Sequence, residues 1–127
     1  MIIGIGVDLV DVHRVEGIIF RWEERFLKRL FTKQEISTCN NKKNPAQRFA
    51  TRFAAKQAFI KALFPKGMDE DIDYREIEVD NSGDRPAVKM HGSIHARAEK
   101  SGVSKVHLMV SHDGNYAVAN VILEGKA

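Results

Sequence analysis

The sequence predicts an α+β fold in which an antiparallel sheet is packed with a long central helix and shorter helices. Three segments carry that expectation. IIGIGVDL at 2–9 is apolar and rich in β-branched residues, PAQRFATRFAAKQAFIKALF at 45–64 is the strongest helix signal, and KVHLMVSHDGNYAVANVIL at 105–123 reads as two β-rich runs around a tight turn. Long strands joined by tight turns imply antiparallel pairing with helices laid on the sheet.

Taken in order, the first run predicts a strand ending at Asp8. Residues 11–20 and 23–30 read as helical, with Val12, Val15, Ile18 and Ile19 forming an apolar stripe. Thr32 and Glu35 have the spacing of a capping box, so a further helix should begin at Thr32. After the polar break at 40–44, Asn44 is the expected N-cap of the long helix and Pro45 its first residue, where a missing N–H costs nothing. Phe49, Phe53, Ile60 and Phe64 should share a face of that helix, Arg48, Arg52, Lys56 and Lys61 supply charge of one sign, and Pro65 and Gly67 end it. Residues 74–80 and 87–90 read as strands around the turn-rich NSGDRP, 93–100 as a helix stopping before Gly102, and Asp113-Gly114-Asn115 as the turn of a hairpin.

With 127 residues, 43% hydrophobic and 29% charged, the chain fits one domain spanning 1–127. No stretch approaches the roughly 20 apolar residues of a membrane helix, and the opening lacks the basic region of a signal peptide, so a cytoplasmic protein without a membrane partner is expected. The single Cys39 has no disulfide or zinc partner and reads as a semi-buried small residue. The net charge of +3 is unevenly placed: residues 1–64 hold 12 Lys+Arg against 6 Asp+Glu, residues 65–127 hold 8 against 11, and 36–68 holds no acid. Such a stretch fits a solvated helix face, or else an acidic partner such as nucleic acid, a phosphorylated cofactor or an acidic protein.

Few residues stand out chemically. Asp8 ends an apolar strand, where a carboxylate is costly to bury unless it caps a turn or meets a metal or hydrogen-bond partners. Gln57 and Lys61 lie one helical turn apart; Lys61 either snorkels to water or faces an anion near the core. Ser111, His112 and Asp113 sit at a hairpin end, a place for exposed functional groups, yet neighbours on a strand point to opposite faces and do not form a nucleophilic triad. His91 and His95 lack the HExxH frame of a zinc helix, and GIGVDL lacks the third glycine of a dinucleotide loop.

In combination these motifs are more specific. The amino-terminal G-x-D followed by Arg14, FT-x-x-E at 31–35, RFA-x-K-x-A-x-x-KA at 52–62 and SHDGNYAVA at 111–119 resemble, in order and spacing, the holo-acyl-carrier-protein synthase family of 4'-phosphopantetheinyl transferases. The resemblance implies an α+β phosphopantetheinyl transferase fold. It also implies transfer of 4'-phosphopantetheine from coenzyme A to a serine of apo acyl carrier protein, releasing 3',5'-ADP, for fatty acid biosynthesis. Members typically assemble as homotrimers with active sites between subunits.

Carried over by motif, Asp8 and Gln57 occupy the Mg2+ ligand positions and Lys61 contacts the coenzyme A phosphates. His112 matches the histidine beside the 3'-phosphate, with Ser111 next to the nucleotide; Arg52 and Pro86 match positions near the cofactor, although the family's G-K-P reads Gly83-Asp84-Arg85-Pro86 here. Arg14, Arg21 and Arg25 match the basic helix that grips acyl carrier protein, which would explain the basic first half. The expected catalytic set is Asp8, Lys61, His112 and Asp113, the last a candidate base alongside water at the metal.

The departure is Gln57, where the family pattern K-E-A has glutamate. An amide oxygen can coordinate a hard cation but adds no negative charge and accepts no proton, so retained activity with a raised magnesium requirement is expected. Two rival readings follow from the same residues. One is a synthase-like protein that binds coenzyme A or carrier protein without transfer. The other, a small nucleic-acid-binding domain, has no aromatic ribonucleoprotein motif, zinc finger or evident helix-turn-helix to support it.

Overall fold

The computed structural model describes residues 1–67 and 71–126. Strand β1 (Ile2–Asp11) is followed by helices α1 (Val12–Trp22), α2 (Glu24–Leu30), α3 (Lys33–Asn40) and the long α4 (Pro45–Leu63). A 3-10 turn at Tyr74–Glu76 leads into β2 (Ile77–Asp80) and β3 (Ala87–Met90), and then come α5 (Gly92–Lys100), β4 (Val103–Asp113) and β5 (Tyr116–Gly125). All strand pairs are antiparallel, in the order β1-β5-β4 with a separate β2-β3 ribbon. The α+β class is as the sequence predicts, with two sheets in place of one. No helix among the described residues is long and apolar enough to cross a membrane.

The inner face of β1-β5-β4 packs on α4, and small residues set how closely. Ala54, Ala58 and Ala62 repeat every four residues along the helix and are fully or almost fully buried. Opposite them, a Cβ at Gly4 would overlap the carbonyl oxygen of Ala62, and one at Gly6 that of Ala58. Because alternate strand residues share a face, Gly4, Gly6 and Asp8 all point toward α4. The glycines thus let the helix come close enough for its side chains to reach Asp8.

Local expectations hold in part. β1 continues past Asp8 because its ladder to β5 runs on to the Asp11–Tyr116 pair, and Asp11 then caps α1, its Oδ1 accepting from the Arg14 N–H at 3.1 Å. Asn44 does not cap α4 with its side chain; it takes a left-handed backbone (φ 54°) and only its carbonyl joins the first turn. Phe64 lies one residue beyond the helix. Cys39 is wholly rather than partly buried, and burial pushes its thiol up to about 11.

The largest correction concerns the charges of α4. Arg52 and Lys56 are buried, at 3% and 0% exposure, so they do not form a solvated face. Lys56 Nζ donates to Glu35 Oε1 (2.8 Å), the Tyr74 carbonyl (2.8 Å) and the Ile77 carbonyl (2.7 Å). Glu35 also completes the capping box, accepting from the Thr32 N–H at 2.9 Å, and takes the Val79 N–H at 3.0 Å. One buried ion pair therefore ties α3, α4, the 3-10 turn and β2 together.

Candidate active site

Asp8 and Lys61 meet where β1 crosses the end of α4. Lys61 Nζ lies 2.8 Å from Asp8 Oδ1 and 3.1 Å from the Val7 carbonyl. Asp8 is the shielded member, its side chain 11% exposed against 56% for Lys61, so the pair opens to solvent on the lysine side. The second carboxylate oxygen, Oδ2, is buried and has no hydrogen-bond partner. A buried, unpartnered carboxylate oxygen beside a solvent-reaching ammonium can accept a cation while the ammonium binds an anion.

Gln57 lies one turn before Lys61 and is half-buried. Its Oε1 accepts a hydrogen bond from the Tyr74 hydroxyl at 3.1 Å. Tyr74 stacks on Phe53, with ring centroids 5.9 Å apart and planes 18° from parallel. Burial raises the Tyr74 pKa and the nearby Asp8 charge raises it further, placing the phenol in the same electrostatic neighbourhood. Sequence reasoning missed Tyr74, because its contact with α4 depends on how the segment before β2 folds back.

Arg52 occupies a different place. Its Nε is buried without a partner, and its side chain lines a cleft of about 630 Å³ with Asn81, Ser82, the cations Lys42, Arg48 and Lys89, and the carboxylates Glu35, Glu78 and Asp80. Among the described residues it has no hydrogen-bond or salt-bridge partner, which suits an anion entering that cleft. Pro86 stands just before β3, on the loop that supplies Asn81 and Ser82.

His112 is farther off. Its Nδ1 lies 3.1 Å from Gln47 Nε2 at the opening of α4, and Ser111 and Asp113 are exposed at the hairpin end. Gln47 and Lys61 are separated by about 21 Å of helix at 1.5 Å per residue. Within one chain, Asp8 and Lys61 are in contact, Gln57 lies one turn away on the same side of α4, and His112 contacts Gln47 at the other end of that helix. Arg14 and Arg21 are exposed along α1, while Arg25 is on α2 and borders a groove with Trp22, Phe26 and Tyr74. The expected basic helix is thus two helices.

His91 and His95 pair with Glu78 and Glu99 respectively.

The oxygen-rich donor set of Asp8 and Gln57 fits a hard divalent cation such as Mg2+, with the orphaned Oδ2 as the available charged ligand.

The family model described as the 4'-phosphopantetheinyl transferase superfamily matches residues 4–121. A holo-[acyl-carrier-protein] synthase of Koribacter versatilis is 44% identical over 125 residues, covering 98% of this chain and 99% of its own. The crystal structure of the holo-[acyl-carrier-protein] synthase from Neisseria meningitidis superposes with a TM-score of 0.85 at 30% identity, covering 98% of this chain and 99% of that one. A Helicobacter pylori holo-[acyl-carrier-protein] synthase in complex with coenzyme A gives a TM-score of 0.80 at 26% identity, covering 94% and 99%. With its strand-held aspartate and helix-held lysine set in this shared fold, the chain belongs to the 4'-phosphopantetheinyl transferase superfamily, among the holo-[acyl-carrier-protein] synthases.

Proposed function

We propose that this protein transfers 4'-phosphopantetheine from coenzyme A to the serine of an apo acyl carrier protein, releasing 3',5'-ADP, with the reaction centred on Asp8 and Lys61. The observation that carries this reading is the ion pair at 2.8 Å whose aspartate keeps one oxygen free. Displacement at a diphosphate needs its charge neutralised and the attacking hydroxyl aligned. Lys61, more than half exposed, swings its ammonium onto the diphosphate and steadies the charge that builds on the departing nucleotide. Asp8 Oδ2 and Gln57 Oε1 are the groups that would hold Mg2+, which when bound would supply Lewis-acid neutralisation of the diphosphate.

The serine oxygen bonds to the phosphorus carrying pantetheine as the bond from that phosphorus to the bridging oxygen breaks. The electron pair leaves with 3',5'-ADP, and the serine proton passes to a base, for which Asp113 is the side-chain candidate. Arg52, buried without a counter-ion, receives a phosphate of the nucleotide in its cleft, and Pro86 shapes the adjoining loop. His112 and Ser111 serve the nucleotide of a neighbouring copy, since in its own chain His112 is held by Gln47 at the opening of α4 and not by Asp8 or Lys61.

That division of labour calls for assembly, and the outer face of β1-β5-β4 supplies a surface for it. Ile5, Val7, Leu9, Met109 and Tyr116 all lie between 50% and 73% exposed on this face, an apolar patch of the kind that covers itself by self-association. Three copies of the 1–127 domain, working in the cytoplasm, match the family pattern. Exposed Arg14, Arg21 and Arg25 give the acidic carrier protein a docking surface. Intact-mass analysis of apo carrier protein with coenzyme A, Mg2+ and this enzyme tests the reading. One added phosphopantetheine group supports it, and an unchanged mass supports binding without transfer.

A further inference from the structure

Tyr74 donates to Gln57, one turn along α4 from the lysine that holds Asp8, and the second oxygen of that aspartate has no partner. Glutamine differs from glutamate in carrying an N–H2 group as well as an oxygen. Gln57 lies one turn from Lys61 on the same side of α4, and Lys61 itself holds Asp8 Oδ1, so a turned amide would be the group on this helix to block Oδ2. The amide does not do so: Oδ2 is without a hydrogen bond, and Gln57 Oε1 is instead held by the Tyr74 hydroxyl at 3.1 Å.

Tyr74 is itself fixed from three sides by α4. Its carbonyl accepts from Lys56 Nζ at 2.8 Å, its ring stacks on Phe53, and its hydroxyl reaches Gln57.

We propose that Tyr74 is a positioning residue that anchors the Gln57 amide by its oxygen and thereby keeps Asp8 Oδ2 open for a divalent cation. The inference rests on the metal-binding reading of Asp8 and Gln57 given above, and it deepens that reading: a chain with glutamine at this position needs a device that one with glutamate does not. Without the hydroxyl, Gln57 turns, its N–H2 caps Oδ2, and the protein occupies its own cation site.

The test uses Mn2+ as the probe, its binding to the full-length protein followed by electron paramagnetic resonance. Tyr74→Phe should weaken Mn2+ binding by about tenfold, the usual scale for losing a partner behind a metal ligand. The same change in a Gln57→Ala background should have no effect, and in a Gln57→Glu background little, because glutamate has no N–H to donate. Equal losses in all three backgrounds, or none in any, would overturn the proposal. A readout without metal separates this from the parent reading: in Tyr74→Phe, one Gln57 side-chain amide proton should move downfield by NMR, and adding Asp8→Ala should abolish the move. If no Mn2+ binds to the wild-type protein yet this NMR shift appears, the metal reading fails and the positioning of Gln57 stands; if Mn2+ binds and Gln57 is unmoved, only the Tyr74 inference fails.

Discussion

Lys56 Nζ sits 2.8 Å from Glu35 Oε1 with both side chains wholly shielded from solvent, at the point where α3, α4 and the segment entering β2 meet. The pair stands directly behind the candidate site, since Lys56 precedes Gln57 and donates to the carbonyl of Tyr74. Ordering of the site and stability of the fold therefore share one anchor.

Removing one member should be far worse than removing both. Lys56→Met leaves Glu35 buried and charged, and should cost about 3–5 kcal/mol in urea unfolding, while Lys56→Met with Glu35→Gln should recover part of the loss. Burial is the main cause holding the Lys56 pKa below 10.5, against the pull of Glu35. The unfolded chain then binds the extra proton, so the Lys56 contribution is least favourable below the lowered value and improves as pH climbs toward 10.5. Lys56→Met should flatten that alkaline rise; an unaltered pH profile would contradict the assignment.

Gly6→Ala should destabilise by about 3 kcal/mol or more, because the new methyl meets the backbone of Ala58 and can be relieved only by parting β1 from α4. Since that separation also draws Asp8 from Lys61, coenzyme A affinity measured by calorimetry should fall in whatever fraction remains folded. Gly17→Ala, mid-helix and facing open space, is the control and should be stabilising by up to about 1 kcal/mol through helix propensity.

Gln57→Glu adds a negative charge one turn from Lys61 and should lower the Mg2+ concentration for half-maximal transfer by about tenfold. Superimposable Mg2+ curves for the two proteins would argue against a ligand role for position 57.

Leu9→Asp puts a charge in the centre of the apolar outer sheet face without touching α4. Light scattering should report a trimer for the wild-type chain and a smaller species for this variant. Transfer should fall with the assembly, because Ser111 and His112 then lose the neighbour they serve. A variant of unchanged mass and activity would remove the sheet face from the assembly.

Much of the fold could be read from local sequence because its signals are local. The Thr32–Glu35 capping box, the Gly114 turn and the apolar period of α4 each involve residues within a turn or two of one another. What could not be read depends on long-range packing. Lys56 looks like a surface lysine until its three acceptors, at 35, 74 and 77, fold around it. The Tyr74–Gln57 bond spans 17 residues and crosses the segment between α4 and β2, so no periodicity announces it. One long-range signal is present in the sequence: the alternation of Gly4, Gly6 and Asp8 against alanines spaced by four on α4 implies a strand and helix in close contact at the aspartate.

The most direct measurement is a crystal structure of the protein with coenzyme A and Mg2+. The diphosphate should lie against Lys61 Nζ with the cation on Asp8 Oδ2. A diphosphate bound elsewhere, with the Asp8–Lys61 pair untouched at its 2.8 Å separation, would contradict the account.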